Sequence, residues 1–219
     1  MRWSRVALRL GQVLAVAVTD VIVARLAGAY RFVGSVHGIV YLALWSIWLM
    51  ATMIGRQRGA PTGYRRVGRV TTLVSYLAVP ALLAVPPLDY AYLHLLGPRG
   101  GAFTWVGLAL FGVGIGLQVS AMRRLGRHFT VRMGVRPNQK LVDSGAYRLV
   151  RHPGYLSYLV SLLGISLVFS SILTLVVLAA AAVFLVWHIR QEEVMLRSEL
   201  AGYPEYAQRV RFRLIPGVW

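Results

Sequence analysis

The hydrophobic positions of this chain gather in long unbroken blocks, not at the spacings of a half-buried strand or an amphipathic helix. Five blocks stand out: Leu10 to Ala24, Val36 to Ile54, Val70 to Leu88, Phe103 to Met122 and Tyr155 to Trp187. Each of the first four matches one bilayer-spanning helix of about 15 to 20 residues plus its flanks. The fifth is 33 residues long, roughly 50 Å of helix at the α-helical rise. That exceeds a single crossing of a hydrocarbon core about 30 Å thick, so two short helices turning near Ser170 and Ser171 are more economical. The pattern predicts an all-α, polytopic integral membrane protein of about six transmembrane segments, the last two forming a helical hairpin. It reads as a single membrane domain over 1–219, with N-terminal transmembrane helices in 1–100. The remainder, 101–219, is a core holding a cytosolic loop, the hairpin and a C-terminal segment.

The polar positions support this division. Counted with the N-terminus inside, 21 of the 24 basic residues fall on the inner side, and only Arg25, Arg31 and Arg99 fall outside. Cytoplasmic loops carry the excess of Lys and Arg, so both termini are expected in the cytoplasm, in a bacterial inner membrane. A single crossing by the fifth block would move the C-terminal arginines outside and weaken the asymmetry. Arg2, Arg5 and Arg9 before an apolar run, with Ala27-Gly28-Ala29 after it, resemble a signal peptide. Because further spans follow, a retained first span is the better reading.

Composition narrows the chemistry. The chain is 57% hydrophobic and only 14% charged, against about 25% charged in soluble domains. Its formal charge of +17 is spread between apolar blocks. It therefore reads as a topology signal and an attraction to membrane lipids, not as a nucleic-acid footprint. With no cysteine, disulfides, thiolate metal sites and cysteine nucleophiles are excluded. The five histidines show no metal-ligand spacing, and His37 and His94 read as interfacial. Gly112, Gly114 and Gly116 lie within a span and lack the strand-turn-helix setting of a dinucleotide loop. They suit close helix approach instead. Pro80, Pro86 and Pro87 kink or end the third span. Asp20 is the main ionisable residue inside a span, too little for a transporter.

The chemistry-bearing residues concentrate after Arg123. The run from Leu141 to Tyr155 contains Gly145-Ala146-Tyr147 and ends in Arg151-His152-Pro153-Gly154-Tyr155. His152 before a proline is biased away from helical geometry, and Pro153 suits the first turn of the next helix. A helix start offers free N–H groups and a positive dipole to an anionic group. An interfacial belt of Arg and Tyr is the plainer explanation of the same residues. Beyond the hairpin come Arg190-Gln191-Glu192-Glu193, then Tyr203-Pro204-Glu205-Tyr206 and Arg213-Leu214-Ile215-Pro216.

Taken together, Gly-x-Tyr-x-x-x-Arg-His-Pro-x-Tyr, an apolar hairpin, Arg-x-Glu-Glu, Tyr-x-x-Tyr and Leu-Ile-Pro resemble the isoprenylcysteine carboxyl methyltransferase family. The wider group includes the membrane phospholipid N-methyltransferases. The resemblance covers about Leu125 to Trp219 and implies an integral membrane methyltransferase that uses S-adenosylmethionine in a cytosolic pocket. It implies cofactor contacts at Gln139, Lys140, Leu141, Val142, Tyr147, His152, Pro153, Gly154 and Tyr155, with Glu193 or Glu192 beside them. Gln139 departs from the histidine often found there. Arg190 matches an arginine on the substrate side, and Arg190 and Glu192 are the candidate catalytic pair.

Those residue types suit the chemistry. A carboxylate such as Glu193 can pair an ammonium, and Lys140 or the helix start near His152 can take a carboxylate. Leu141, Tyr147 and Tyr155 can line an adenine slot. Methylation of an ionised carboxylate needs alignment and exclusion of water, with Arg190 holding the acceptor. An amine acceptor must lose a proton, which Glu192 or Glu193 could take. The acceptor is thus a lipidic or small hydrophobic carboxylate, amine or thiol. A sterol-type reductase using NADPH, with Lys140, Arg148 and Arg151 on its phosphates, and a non-enzymatic transporter or scaffold are the competing readings.

Overall fold

The computed structural model describes residues 34–56, 85–86, 89, 101–126, 135 and 139–219. The blocks Leu10 to Ala24 and most of Val70 to Leu88 lie outside the described residues, as do Asp20, Pro80, Pro87 and His94. The described residues are helical or irregular, with no strand among them. Helix α1 spans Val36–Arg56, α2 Ala102–Leu125, α3 Pro153–Phe169, α4 Ile172–Glu199 and α5 Tyr203–Arg209. A 3-10 turn, Gly145–Arg148, precedes α3. α2 and α4 are long and apolar enough to cross a membrane.

The fifth apolar block is broken at Ser170–Ser171. Ser170 is the one non-glycine among the described residues with positive φ, at 47°. This left-handed turn closes α3, with the Ser170 N–H returned to Leu167 and Ser166. Ser171 then caps α4, its Oγ accepting the Thr174 N–H at 3.1 Å. The buried Asp89 carboxylate accepts the Leu173 N–H at 3.2 Å. Two of the orphan donors at the α4 start are thereby satisfied. The chain then runs back along α3, bringing His188 to Tyr155.

α4 is longer than the short helix expected from the sequence. It is 28 residues, about 42 Å, so Arg190-Gln191-Glu192-Glu193 is part of it and does not follow it. Neither Gly nor Pro occurs from Ile172 to Glu199, and Gln, Glu, Met, Leu and Arg carry the helix onward by propensity. Gly202, at φ 80°, supplies the turn into α5.

α2 and α3 pack antiparallel with their backbones close together. A side chain at Gly107 would strike the Gly164 carbonyl and the Val168 amide at 2.7 Å, and one at Gly114 would strike Ser161. Of the glycine run singled out in the sequence, Gly114 makes this approach, whereas Gly112 and Gly116 face open space. Small residues at such a crossing let two helices gain dispersion contacts that lipid cannot supply. α1 lies across the pair through Tyr41, Trp45 and Trp48. These pack on Phe111, Phe169 and Tyr158. The buried Gln118 on α2 bonds Ser157 and Tyr158 on α3, fixing the register at the end of the bundle that carries the site.

Candidate functional site

The site is built where α3 begins, α4 projects past its apolar stretch and the C-terminal segment folds back. His152 caps α3, and Pro153 occupies its first turn, where the missing proline N–H costs nothing. The N–H groups of Arg151 and His152 are already bonded to the carbonyls of Phe212 and Arg213, at 3.0 and 2.9 Å. Those of Tyr155 and Leu156 return to the His152 carbonyl. Pro153 has none, so the Gly154 N–H is the first-turn donor that no described group accepts. A side chain at Gly154 would meet nothing within 4 Å, so the backbone there borders open space.

Glu193 is the electrostatic centre of the region. Arg151 donates to it through Nε and Nη2, at 2.6 and 3.1 Å, and Arg213 through Nε at 2.9 Å. His152 Nε2 stands 3.3 Å from the same carboxylate, and the Tyr203 hydroxyl donates at 3.4 Å. Arg151 spends its remaining capacity on the carbonyls of Ala207, Val210 and Arg211. This buried network ties α4, the α3 start, α5 and the C-terminal segment together, and fills both carboxylate oxygens of Glu193.

Glu192 faces elsewhere. Its Oε2 is buried without a hydrogen bond, and His152 Nδ1 stands 3.5 Å away. That contact does not meet hydrogen-bond geometry, so the oxygen has no filled bond. The carboxylate also stands beside the Tyr155 hydroxyl, which meets His188 Nε2 at 3.1 Å. The His188 Nδ1 is buried and has no partner.

The other candidates separate clearly. Tyr147 is buried, and its carbonyl accepts the Tyr206 hydroxyl at 2.7 Å. Burial pushes the phenols of Tyr147, Tyr203 and Tyr206 above the usual tyrosine range, so they stand as protonated donors. Leu141 packs on the cluster of Leu200, Tyr203, Tyr206 and Ala207. Gln139 and Val142 are half-buried, while Lys140 is exposed. Arg190 is exposed and lies about 200° around the helix from Glu192. The structure thus gathers His152, Pro153, Gly154, Tyr155, Glu192 and Glu193, with Tyr147 and Leu141 at the neighbouring wall. It leaves Lys140 and Arg190 on the surface.

The methyltransferase reading of the sequence named no role for Arg151, Arg213, Tyr203 and His188. The first three stand in quoted motifs and were legible as motif members. His188 carried a weaker signal, one helical turn before Glu192 on the same face.

Comparison with known proteins identifies the family. Residues 105–198 match the model of the isoprenylcysteine carboxyl methyltransferase (ICMT) family. Sequences from Oryza sativa subsp. indica and subsp. japonica, each named probable protein-S-isoprenylcysteine O-methyltransferase, are 31% identical over 159 residues. The match covers 68% of this chain and 81% of theirs. A cobalt-zinc-cadmium resistance protein, CzcN of Cupriavidus metallidurans, is 35% identical over 108 residues, 48% of this chain and 49% of that one. The solved structure of the eukaryotic intramembrane Ras methyltransferase ICMT aligns with a TM-score of 0.57 at 19% identity. It covers 93% of this chain and 74% of its own, a likeness of fold. Neither the reductase nor the transporter reading is favoured by these matches. The chain belongs to the isoprenylcysteine carboxyl methyltransferase family and is an integral membrane methyltransferase that uses S-adenosylmethionine as its methyl donor.

Proposed function

We propose that this enzyme methylates the polar end of a lipidic acceptor, a carboxylate, and that the amino-acid end of the cofactor sits between Glu192 and the α3 start. The observation that carries this reading is the buried Glu192 oxygen with no hydrogen bond, 3.5 Å from His152 at the α3 start, where the Gly154 backbone borders open space. An acceptor of cations and a donor to anions at one helix start fit an ammonium and a carboxylate on one carbon. His152 and Tyr155 orient Glu192. Leu141, Val142 and Tyr147 supply the apolar wall, with Gln139 and Lys140 at its rim. Glu193 positions the surrounding segments and leaves the cofactor's ammonium to Glu192.

S-adenosylmethionine supplies an electrophilic sulfonium methyl group. The protein's part is then to hold the acceptor in line and keep water away. An ionised carboxylate needs no base, which agrees with the surface position of Arg190. We assign Arg190 to drawing the acceptor carboxylate to the membrane surface. The names of the rice relatives support a lipid-linked acceptor.

The same reading holds the six-segment topology, with the last two as a hairpin, both termini cytoplasmic and the site at the cytoplasmic face of a bacterial inner membrane. α1 and α2 run in the same direction and α3 in the opposite one, as their paired residues require. That is the sense expected of second, fourth and fifth segments.

Calorimetric titration of the detergent-purified protein with S-adenosylhomocysteine tests the cofactor assignment. Glu192→Gln should weaken binding roughly ten- to a hundredfold, the loss of a charge-assisted hydrogen bond, with the melting temperature kept. Unchanged affinity removes Glu192 from the cofactor site. Arg190→Ala should keep cofactor affinity and raise KM for a prenylated carboxylate, and an unchanged KM removes Arg190 from acceptor capture.

A further inference from the structure

The last eight residues do something the methyl-transfer reading does not require. From Ile172 to Ile189 α4 carries no Asp, Glu, Lys or Arg, a length of about 27 Å that nearly matches the hydrocarbon core. Ile189 therefore marks the edge of the apolar region, with Leu185 about 6 Å farther in. The C-terminal segment reaches this depth. Leu214 forms a buried cluster with Leu185 and Ile189, and Trp219 packs against it together with Leu156, Leu159 and Phe184. The strap is held in that position. The Arg213, Leu214 and Ile215 N–H groups all bond to the Trp219 carbonyl, and the Arg213 guanidinium lies 5.2 Å from the Trp219 ring.

The outer side of this strap is apolar and uncovered. Phe212 is 37% exposed, Ile215 42% and Val218 77%. Leu149, two residues before the Arg151–Phe212 backbone bond, is also exposed. Val183 and Trp187, on the side of α4 away from the strap, are exposed as well. Exposed Arg148 and Arg211 flank the strap's apolar patch. Nearby Asp143 is committed to Arg209. An apolar strip at hydrocarbon depth with arginines above it has the polarity of an interfacial anchor, and the free cations select negatively charged headgroups.

We infer that the segment Phe212–Trp219 is a bilayer-inserted strap, with Ile215 and Val218 among acyl chains and Arg148 and Arg211 on the phosphates of anionic phospholipids. Because Arg213 reaches Glu193 and the strap backbone is bonded to Arg151 and His152, the bilayer surface becomes part of the wall of the site. This inference concerns the membrane and stands whatever the methyl acceptor is.

The absence of cysteine makes single-site labelling direct. A nitroxide on Val218→Cys in phosphatidylglycerol-containing vesicles should collide with molecular oxygen more often than a label at the exposed Glu205→Cys, and less often than one at Val183→Cys, about 9 Å inside the Ile189 edge. It should be shielded from a water-soluble nickel chelate that reaches a label at Glu205→Cys. Adding Arg211→Glu should open the Val218 label to the chelate roughly fivefold more often, the ratio set by about 1 kcal/mol per surface arginine. Nickel accessibility equal to the Glu205 reference overturns the strap, and insensitivity to Arg211→Glu overturns the anionic headgroup assignment.

Discussion

Neighbouring residues on a helix point about 100° apart, and this alone divides the work of Glu192 and Glu193. Glu193 faces Arg151, Arg213, His152 and Tyr203, while Glu192 turns toward His152 and Tyr155 with one oxygen unfilled. Removing one partner of a buried ion pair leaves the other charge uncompensated, which costs about 3–5 kcal/mol. Glu193→Gln should therefore lower the melting temperature in detergent, in contrast with Glu192→Gln. Arg151→Lys should be nearly as damaging, because Arg151 uses all three guanidinium nitrogens on five acceptor contacts and an ammonium cannot reproduce that fork. Since both changes break one network, the double variant should lose much less than the two single losses added together. Additive losses would show that the network is not a unit. The Arg-x-Glu-Glu motif was visible in the sequence, but its division of labour was not. Arg151 and Glu193 are 42 residues apart, and the motif's facing depends on α4 continuing unbroken through it.

At the scale of elements, the contact between α2 and α3 is where backbone geometry decides. Gly107 and Gly114 are seven residues apart, two turns, so they share one face, and both approach α3 closely enough that an added carbon would strike its backbone. Gly112 and Gly116 leave that face. Gly107→Val or Gly114→Leu should cost more than the roughly 1–3 kcal/mol of ordinary overpacking, because α3 backbone stands in the way at both positions, joined at Gly114 by the Ser161 side chain. Gly112→Ala and Gly116→Ala should be neutral or slightly stabilising in a helix interior. Thermal melts of the four variants in one detergent test this, and equal losses at all four positions would remove the crossing as the cause. The apolar blocks made α1 and α2 legible because block length and bilayer thickness are matched quantities. The crossing was only half legible. The clustered glycines drew attention, yet Gly107 lies outside the cluster and heptad spacing identifies it. The end of α4 was misjudged because hydrophobicity ends at Ile189 while helix propensity does not.

For the whole molecule, the question is how these helices sit across the bilayer. Tyr41 lies against Phe169 and Trp48 against Tyr158, so α1 runs opposite to α3, and α2 does the same through Gly107 and Gly114. With α1 and α2 parallel, Arg56 and Gly101 stand at opposite ends of the bundle, and the sequence between them holds one apolar block, Val70 to Leu88. The site end of α3 is also the end where Arg123, Arg124, Arg148 and Arg151 gather, while the Ser170–Ser171 end is far poorer in basic residues. Both facts agree with the proposed topology, in which the site, the loop before α3 and the C-terminal segment share the positively charged side. In a chain without cysteine, single cysteines at Gly101, Lys140, Ile172 and Glu205 report this with a membrane-impermeant maleimide. Lys140→Cys and Glu205→Cys should react in inverted inner-membrane vesicles and be protected in spheroplasts. Gly101→Cys and Ile172→Cys should show the reverse. Reaction of Ile172→Cys on the same side as Glu205→Cys would mean that the last block does not return across the bilayer. The donors and carboxylates gathered at the α3 start would then share a side with the Ser170–Ser171 turn, and the cytoplasmic placement of the site would have to be abandoned.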